Sequence, residues 1–368
     1  MEFLVFGEDW QRHPSSTQHL FALFNQQHLV YWINSIGLRQ PSISSQDIIR
    51  VVEKIKAFKS LQVTKHKQLA QPTKTINPLV WPLPQNKFIK KINQQLLKYQ
   101  LPIKQEFRVI WCSLPSAVDY LDTCDGDIVV YYCGDDFSAL AGVDHRKVEI
   151  LEQQLVHRAD VIFAASLPLQ QKFPPEKTHL LPHGVDLDLF TPPALPTNKD
   201  QIKTVGFYGS LNTWLDYDLI IRLAQQCPEI TFHFVGKKEC PASHTLIQQN
   251  IQLHPPCSHP ELISHLTHWD CAIMPFINNR QIQHCNPLKL REYLASARHI
   301  ICSDFPAAQQ YSSHLTIANN TQQWLNALKN PIPITEQKIT MRRQILSTES
   351  WQARQQQVIA ELQSLISP

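Results

Sequence analysis

Apolar runs of three to six residues alternate along the chain with longer stretches whose apolar positions recur at helical spacing. Short apolar runs predict buried strands and the periodic stretches predict amphipathic helices, so the alternation predicts a parallel α/β architecture. Early strands are expected at 3–6, 28–33, 109–112, 128–133, 161–164 and 179–181, with a helix over 17–26. A second series follows, with strands at 204–208, 231–235, 251–253, 271–274 and 300–302. Its helices are expected at 217–226, 261–268, 288–297 and 322–328, and a last one over 350–364 takes Ser350 as N-cap.

Between the two series, residues 191–198 read Thr-Pro-Pro-Ala-Leu-Pro-Thr-Asn, a Pro-rich polar linker. The expected organisation is an N-terminal Rossmann-like domain over 1–190, a linker over 191–202 and a second Rossmann-like domain over 203–349. The C-terminal helix of 350–368 is expected to return to the first domain. Two such halves place a ligand cleft between them, beyond the carboxyl ends of the strands. A length of 368 residues suits two cores rather than one.

Composition narrows the chemistry. With 43% hydrophobic and 18% charged residues the chain is ordinarily globular. No stretch approaches the roughly 20 apolar residues of a membrane span. Residues 1–7 read as a first strand rather than a signal peptide, and nine Cys without a CxxC pair suit reduced buried thiols. A cytoplasmic location is therefore expected. Neither GxGxxG nor a Walker A sequence occurs, and the chain has only nine Gly, which argues against a nicotinamide enzyme. His254, His259, His265 and His268 form no HExxH pattern, and Asp119, Asp122, Asp125 and Asp127 lack EF-hand spacing, so no metal site is expected.

Net charge is +3, but thirteen basic residues from Arg50 to Arg108 face only Glu53 and Glu106. Such a run is either a solvated face or an attractor for an anionic membrane surface or acceptor, which would make the protein peripheral at the inner face of the plasma membrane. No nucleic-acid partner is expected.

Several segments carry a resemblance to a known family. Val205-Gly206-Phe207-Tyr208-Gly209-Ser210-Leu211 resembles the strand and glycine turn that open the donor domain of family 4-type GT-B glycosyltransferases. Phe234-Val235-Gly236, Met274-Pro275-Phe276 and Pro287-Leu288-Lys289-Leu290-Arg291-Glu292-Tyr293-Leu294-Ala295 resemble later segments of that domain. Leu181-Pro182-His183-Gly184-Val185-Asp186 resembles the segment before the linker, while Pro14-Ser15-Ser16 and residues 36–41 resemble exopolysaccharide and teichuronic-acid-type members. The resemblance implies a GT-B fold, a nucleotide-sugar donor, a glycan or lipid-linked acceptor, retention at the anomeric carbon and no required metal. It also implies that Glu292 binds the nucleotide ribose. Where some members carry a glutamate contacting the donor sugar, this chain has His284, which leaves the sugar unread.

The residues themselves agree with that chemistry. Gly209 can take positive φ and bring backbone N–H groups to a diphosphate, with Ser210 adding a hydroxyl and Gly236 a second strand-end turn. Lys289 lies one helical turn before Glu292, where its cation can neutralise a leaving diphosphate; Arg280 can approach from the preceding loop, and His284 and Leu290 complete the expected donor site. In the first domain Asp135 and Asp136 follow an apolar strand, where they contact acceptor hydroxyls, act as base or merely cap the next helix. Arg12, His13, Ser15 and Ser16 follow the first strand and are assigned to the acceptor side. Transfer of a sugar to an acceptor hydroxyl in bacterial cell-surface polysaccharide assembly is the expected function. A non-catalytic nucleotide- or sugar-binding protein and a nucleotide-sugar epimerase of the same architecture are the rivals.

Overall fold

The computed structural model describes residues 1–11, 15–36, 69–78, 87–139, 144–191 and 201–366. The chain divides into two compact units, Met1–Leu180 and Leu181–Pro368. The first holds seven parallel strands: β1 (Glu2–Phe6), β2 (Leu29–Ile33), β3 (Lys74–Ile76), β4 (Arg108–Cys112), β5 (Ile128–Cys133), β6 (Val161–Ala164) and β7 (Thr178–Leu180). Their spatial order is β3-β2-β1-β4-β5-β6-β7. In the second unit β8 (Thr204–Tyr208), β9 (Thr231–Val235), β10 (Ile251–His254), β11 (Cys271–Met274), β12 (His299–Cys302) and β13 (Thr316–Ile317) lie in the order β10-β9-β8-β11-β12-β13.

Both sheets are doubly wound, so their strands are buried on two faces and read as continuous apolar runs. In β1 all five positions are buried, including Glu2, whose Oε1 accepts from Arg108 Nε of β4 at 2.6 Å. Trp32 and Trp111 fill the first core, and Trp269 and Trp324 the second. Gly206 makes room for Trp269: a Cβ there would lie 1.9 Å from the indole. Strand order reverses between β1 and β4 and again between β8 and β11. Ligands of open α/β sheets bind at such reversals, outside the carboxyl ends, which directs attention to the loops after β1, β5, β8 and β11.

The unit boundary falls ten residues before the expected domain end at 190. Residues 181–190 join the second unit because their side chains and backbone are held there. Phe190 belongs to its core, Val185 N–H donates to Glu349 O at 3.1 Å, and Gly184 packs so tightly on Trp351 that a Cβ would sit 2.6 Å from the ring. The C-terminal helix Trp351–Ile366, for which a return to the first domain was the expectation, is likewise grouped with the second unit. Among the described residues no helix is long and apolar enough to cross a membrane.

Candidate functional site

The turn after β8 is shaped by two glycines. Gly209 has φ +126, a region L side chains rarely adopt, and its N–H donates to Val235 O at 2.9 Å. A Cβ at Gly209 would lie 2.3 Å from Lys289 Cε, so the absence of a side chain admits the lysine. Gly236, after β9, approaches the same turn so closely that a Cβ there would be 2.0 Å from Gly209 O. Ser210 is half-buried beside this turn.

Lys289 comes from the helix Leu288–Ala295, whose first turn has no side-chain cap. Its Nζ lies 5.7 Å from the centroid of the Phe207 ring. Among the described residues this ammonium makes no hydrogen bond or ion pair. Burial pushes the Lys289 pKa down, against the pull of Glu292 and Cys285. Three residues on, Glu292 Oε2 accepts from Tyr208 Oη at 2.6 Å. Burial raises the Glu292 pKa, while the Tyr208 bond and the charges of His259 and Lys289 oppose the rise. The other sides of the helix are fixed: Leu290, Tyr293 and Leu294 are core, and Arg291 donates to Glu349 Oε2 at 2.5 Å and to Asn286 Oδ1 at 2.6 Å.

Other expected donor residues stand differently. Arg280 is exposed and opens the short helix Arg280–His284, capped by Asn279. His284 is half-buried, its Nδ1 2.8 Å from Arg280 O. Leu290, expected in the donor site, has its side chain wholly buried in the core, and its N–H donates to Pro287 O at 3.1 Å.

In the first unit a second group gathers around the ends of β1 and β5. Asp135 is exposed at the surface, yet crowding around its carboxyl group, with the carboxylates of Glu8 and Asp136, pushes its pKa up to about 7. Burial also raises Glu8, and the nearby Asp9 adds to this, while Ser15 and a backbone bond lower it. Ser15 donates to Glu8 Oε2 at 2.9 Å and caps the helix Ser16–Phe24 by accepting from Gln18 N–H. Ser16 is buried and hydrogen-bonds Tyr132. Asp136 stands differently from Asp135: its buried Oδ1 accepts from Lys172 Nζ and Ser138 Oγ, each at 2.7 Å, so it is held in an ion pair. Arg12 and His13 lie outside the described residues. No three His, Cys, Asp or Glu side chains among the described residues are grouped as metal ligands.

No family model matches the chain. It is 24% identical over 224 residues to a Bacillus subtilis (strain 168) protein named for teichuronic acid biosynthesis as a glycosyltransferase, TuaH. That match takes in 55% of this chain and 56% of the relative, so the chain spans just over half the relative's length. Among solved structures, Anabaena HepE in complex with UDP and glucose superposes with a TM-score of 0.68 at 12% identity, over 99% of this chain and 100% of that one. A sucrose-phosphate synthase from Thermosynechococcus elongatus gives 0.66 at 14% identity, over 100% and 99%. The fold is GT-B. Within this GT-B chain the sequence reading gave Tyr208 and His259 no role beside Glu292 and overlooked Glu8. Tyr208 alone carried a local signal, as the residue immediately before Gly209.

Proposed function

We propose that the chain is a glycosyltransferase that moves a sugar from a nucleotide sugar to an acceptor hydroxyl in the assembly of a cell-surface polysaccharide. One observation carries this reading: an unpaired, partly buried Lys289 ammonium overhangs the Gly209 turn, next to a Glu292 carboxylate already oriented by Tyr208. An unpaired buried cation is costly, and a diphosphate supplies its counter-charge. A carboxylate with free lone pairs accepts both hydroxyls of a ribose. The named relative and the UDP-bound HepE support the same chemistry.

In the proposed step the bond from the anomeric carbon to the diphosphate oxygen breaks and a bond to the acceptor oxygen forms. Lys289 stabilises the charge that gathers on the departing diphosphate, a term realised mainly in the transition state. Asp135, with a pKa near neutrality, takes the acceptor proton. Arg280, His284 and Ser210 border the donor, Ser15 and Ser16 hold the acceptor side in shape, and the reaction runs with retention and without a metal. Release of nucleoside diphosphate from a panel of UDP-, GDP- and dTDP-sugars tests the reading, with chelator present and the product anomer read by NMR. Nucleotide binding without release or transfer would favour a non-catalytic binder, and no nucleotide binding at all would overturn the reading.

We also propose that part of the basic segment meets an anionic membrane surface where lipid-linked acceptors reside. Arg108, Lys90 and Lys104 are engaged with Glu2, Asp119 and Asp127. The helix Lys87–Gln100 keeps Lys87, Lys91 and Lys98 exposed together with Phe88 and Tyr99, and it contains no acidic residue. Basic residues at such a surface contribute about 1 kcal/mol each. Sedimentation with anionic and neutral vesicles, before and after Lys87, Lys91 and Lys98 are changed to Glu, reads this directly; equal binding to both vesicle types refutes it.

A further inference from the structure

We infer that Arg298, His299, His314, Lys338 and Arg342 bind a phosphate-group dianion at the amino-terminal edge of the second sheet. This edge is opposite the Gly209–Lys289 site. Arg298 and His299 lead into β12, His314 lies just before β13, and parallel strands put all amino ends on one side.

Arg342 brings the group together. From the helix Glu336–Ser347 its Nη1 donates to Arg298 O at 2.9 Å and its Nη2 to His314 O. Lys338 lies four residues earlier on the same helix and therefore on the same face. The Arg342 and Lys338 charges thus act on each other and on both His299 and His314, with Arg298 next in sequence to His299, and among the described residues neither Arg342 nor Lys338 forms an ion pair. The Asp270 carboxylate acts on Arg298 and His299 from one side, while its Oδ2 also accepts from Lys203 N, Thr204 N and Thr204 Oγ1, so it is shared with the backbone and does not reach Arg342 or Lys338 as an ion pair.

Several donors here are also unused. Arg342 and His314 are only 3% and 6% exposed, and Arg342 Nε, His314 Nδ1 and Arg298 Nε have no hydrogen-bond partner among the described residues. Buried polar atoms are nearly always satisfied, and like charges held together without a counter-ion destabilise a fold. A tetrahedral dianion answers both deficits, because several oxygens accept at once from a guanidinium, an ammonium and imidazoles. Arg298, His299 and Lys338 are half-buried, so the cluster reaches solvent. The electrostatics agree: burial pushes Arg342 down to about 10, and burial with Arg342 and Lys338 pushes His299 down to about 4.

The test is thermal unfolding and calorimetry of the full chain in inorganic phosphate against chloride at equal ionic strength. Parallel arms with a hexose 6-phosphate and the parent hexose separate a free from an esterified phosphate source. Phosphate should raise the melting temperature. In the Arg298→Gln/Lys338→Gln double variant its affinity should fall about tenfold or more, as expected for loss of two charge-assisted bonds. The double variant should melt no lower than the wild type in chloride, because repulsion has been relieved. Lys289→Ala should keep the phosphate response, so the result stands apart from the nucleotide-sugar reading. Absence of any phosphate response, an undiminished one in the double variant, or one abolished by Lys289→Ala overturns the inference.

Discussion

Tyr208 Oη donates to Glu292 Oε2 at 2.6 Å, joining the last residue of β8 to a helix 84 positions later in sequence. The bond fixes the carboxylate before any ligand arrives and leaves its remaining lone pairs available. A hydrogen bond to a charged group is worth about 1.5–3 kcal/mol. Tyr208→Phe should therefore weaken binding of the correct nucleoside diphosphate by roughly tenfold, with little change in the fold. Glu292→Ala should weaken it at least as much, and calorimetry on both variants compares them. Unchanged affinity in Glu292→Ala would remove the ribose role.

Two glycines three residues apart separate function from folding. Gly209→Ala places a methyl against Lys289 Cε in a backbone region that costs a non-glycine residue about 1–3 kcal/mol. It should lower kcat by displacing the ammonium, as Lys289→Ala should. Gly206→Ala instead drives into Trp269 inside the core, and overpacking of this kind costs about 1–3 kcal/mol. Its melting temperature should fall while any correctly folded fraction keeps its nucleotide affinity. Steady-state kinetics and thermal melts on the pair distinguish the two effects.

Asp135 should set the acid limb of the pH–rate profile. Its pKa is raised to about 7, so it is protonated below and ionised above that value. Transfer should rise with pH through this region, and Asp135→Asn should remove the limb along with most of the rate. Glu8→Gln should move the limb to lower pH, because one of the two repelling carboxylates is gone. A limb that stays in place in Glu8→Gln would contradict the coupling.

His183 makes the second unit acid-sensitive. Burial, then the charges of Arg291 and Arg354, push its pKa down to about 3 from an ordinary 6.5. The unfolded chain therefore binds a proton that the folded chain refuses between these values. Stability is complete above about pH 6.5 and is lost as pH falls toward 3, amounting to about 2 kcal/mol at pH 5. His183→Asn should flatten this part of the curve in urea melts run from pH 7 to pH 4.

The α/β alternation was legible wherever strands were long. Expected strands at 204–208, 231–235 and 271–274 coincide with β8, β9 and β11. β3 and β13 have three and two residues, too few to show a period. Gly209, Lys289 and Glu292 were readable because turn and helix spacing are local properties. The ion pair of Asp136 was not legible because its partner Lys172 is 36 residues away, and Glu8 was passed over because its neighbour Asp135 belongs to another strand end. Tertiary pairing of this sort leaves no periodic trace.

The nesting of Gly236 against Gly209 has a bearing on how a chain of this fold can change what it binds. Because any side chain at 236 would press into the carbonyl of 209, neither position can be exchanged without rebuilding the other. If the proposed function holds, the Gly209 turn is thus closed to stepwise diversification, and a drift in sugar preference has to proceed at positions whose side chains have space to change, such as half-buried Ser210 and His284. A library randomised at those two residues should yield altered donor selectivity, whereas one randomised at the glycines should return only the parent.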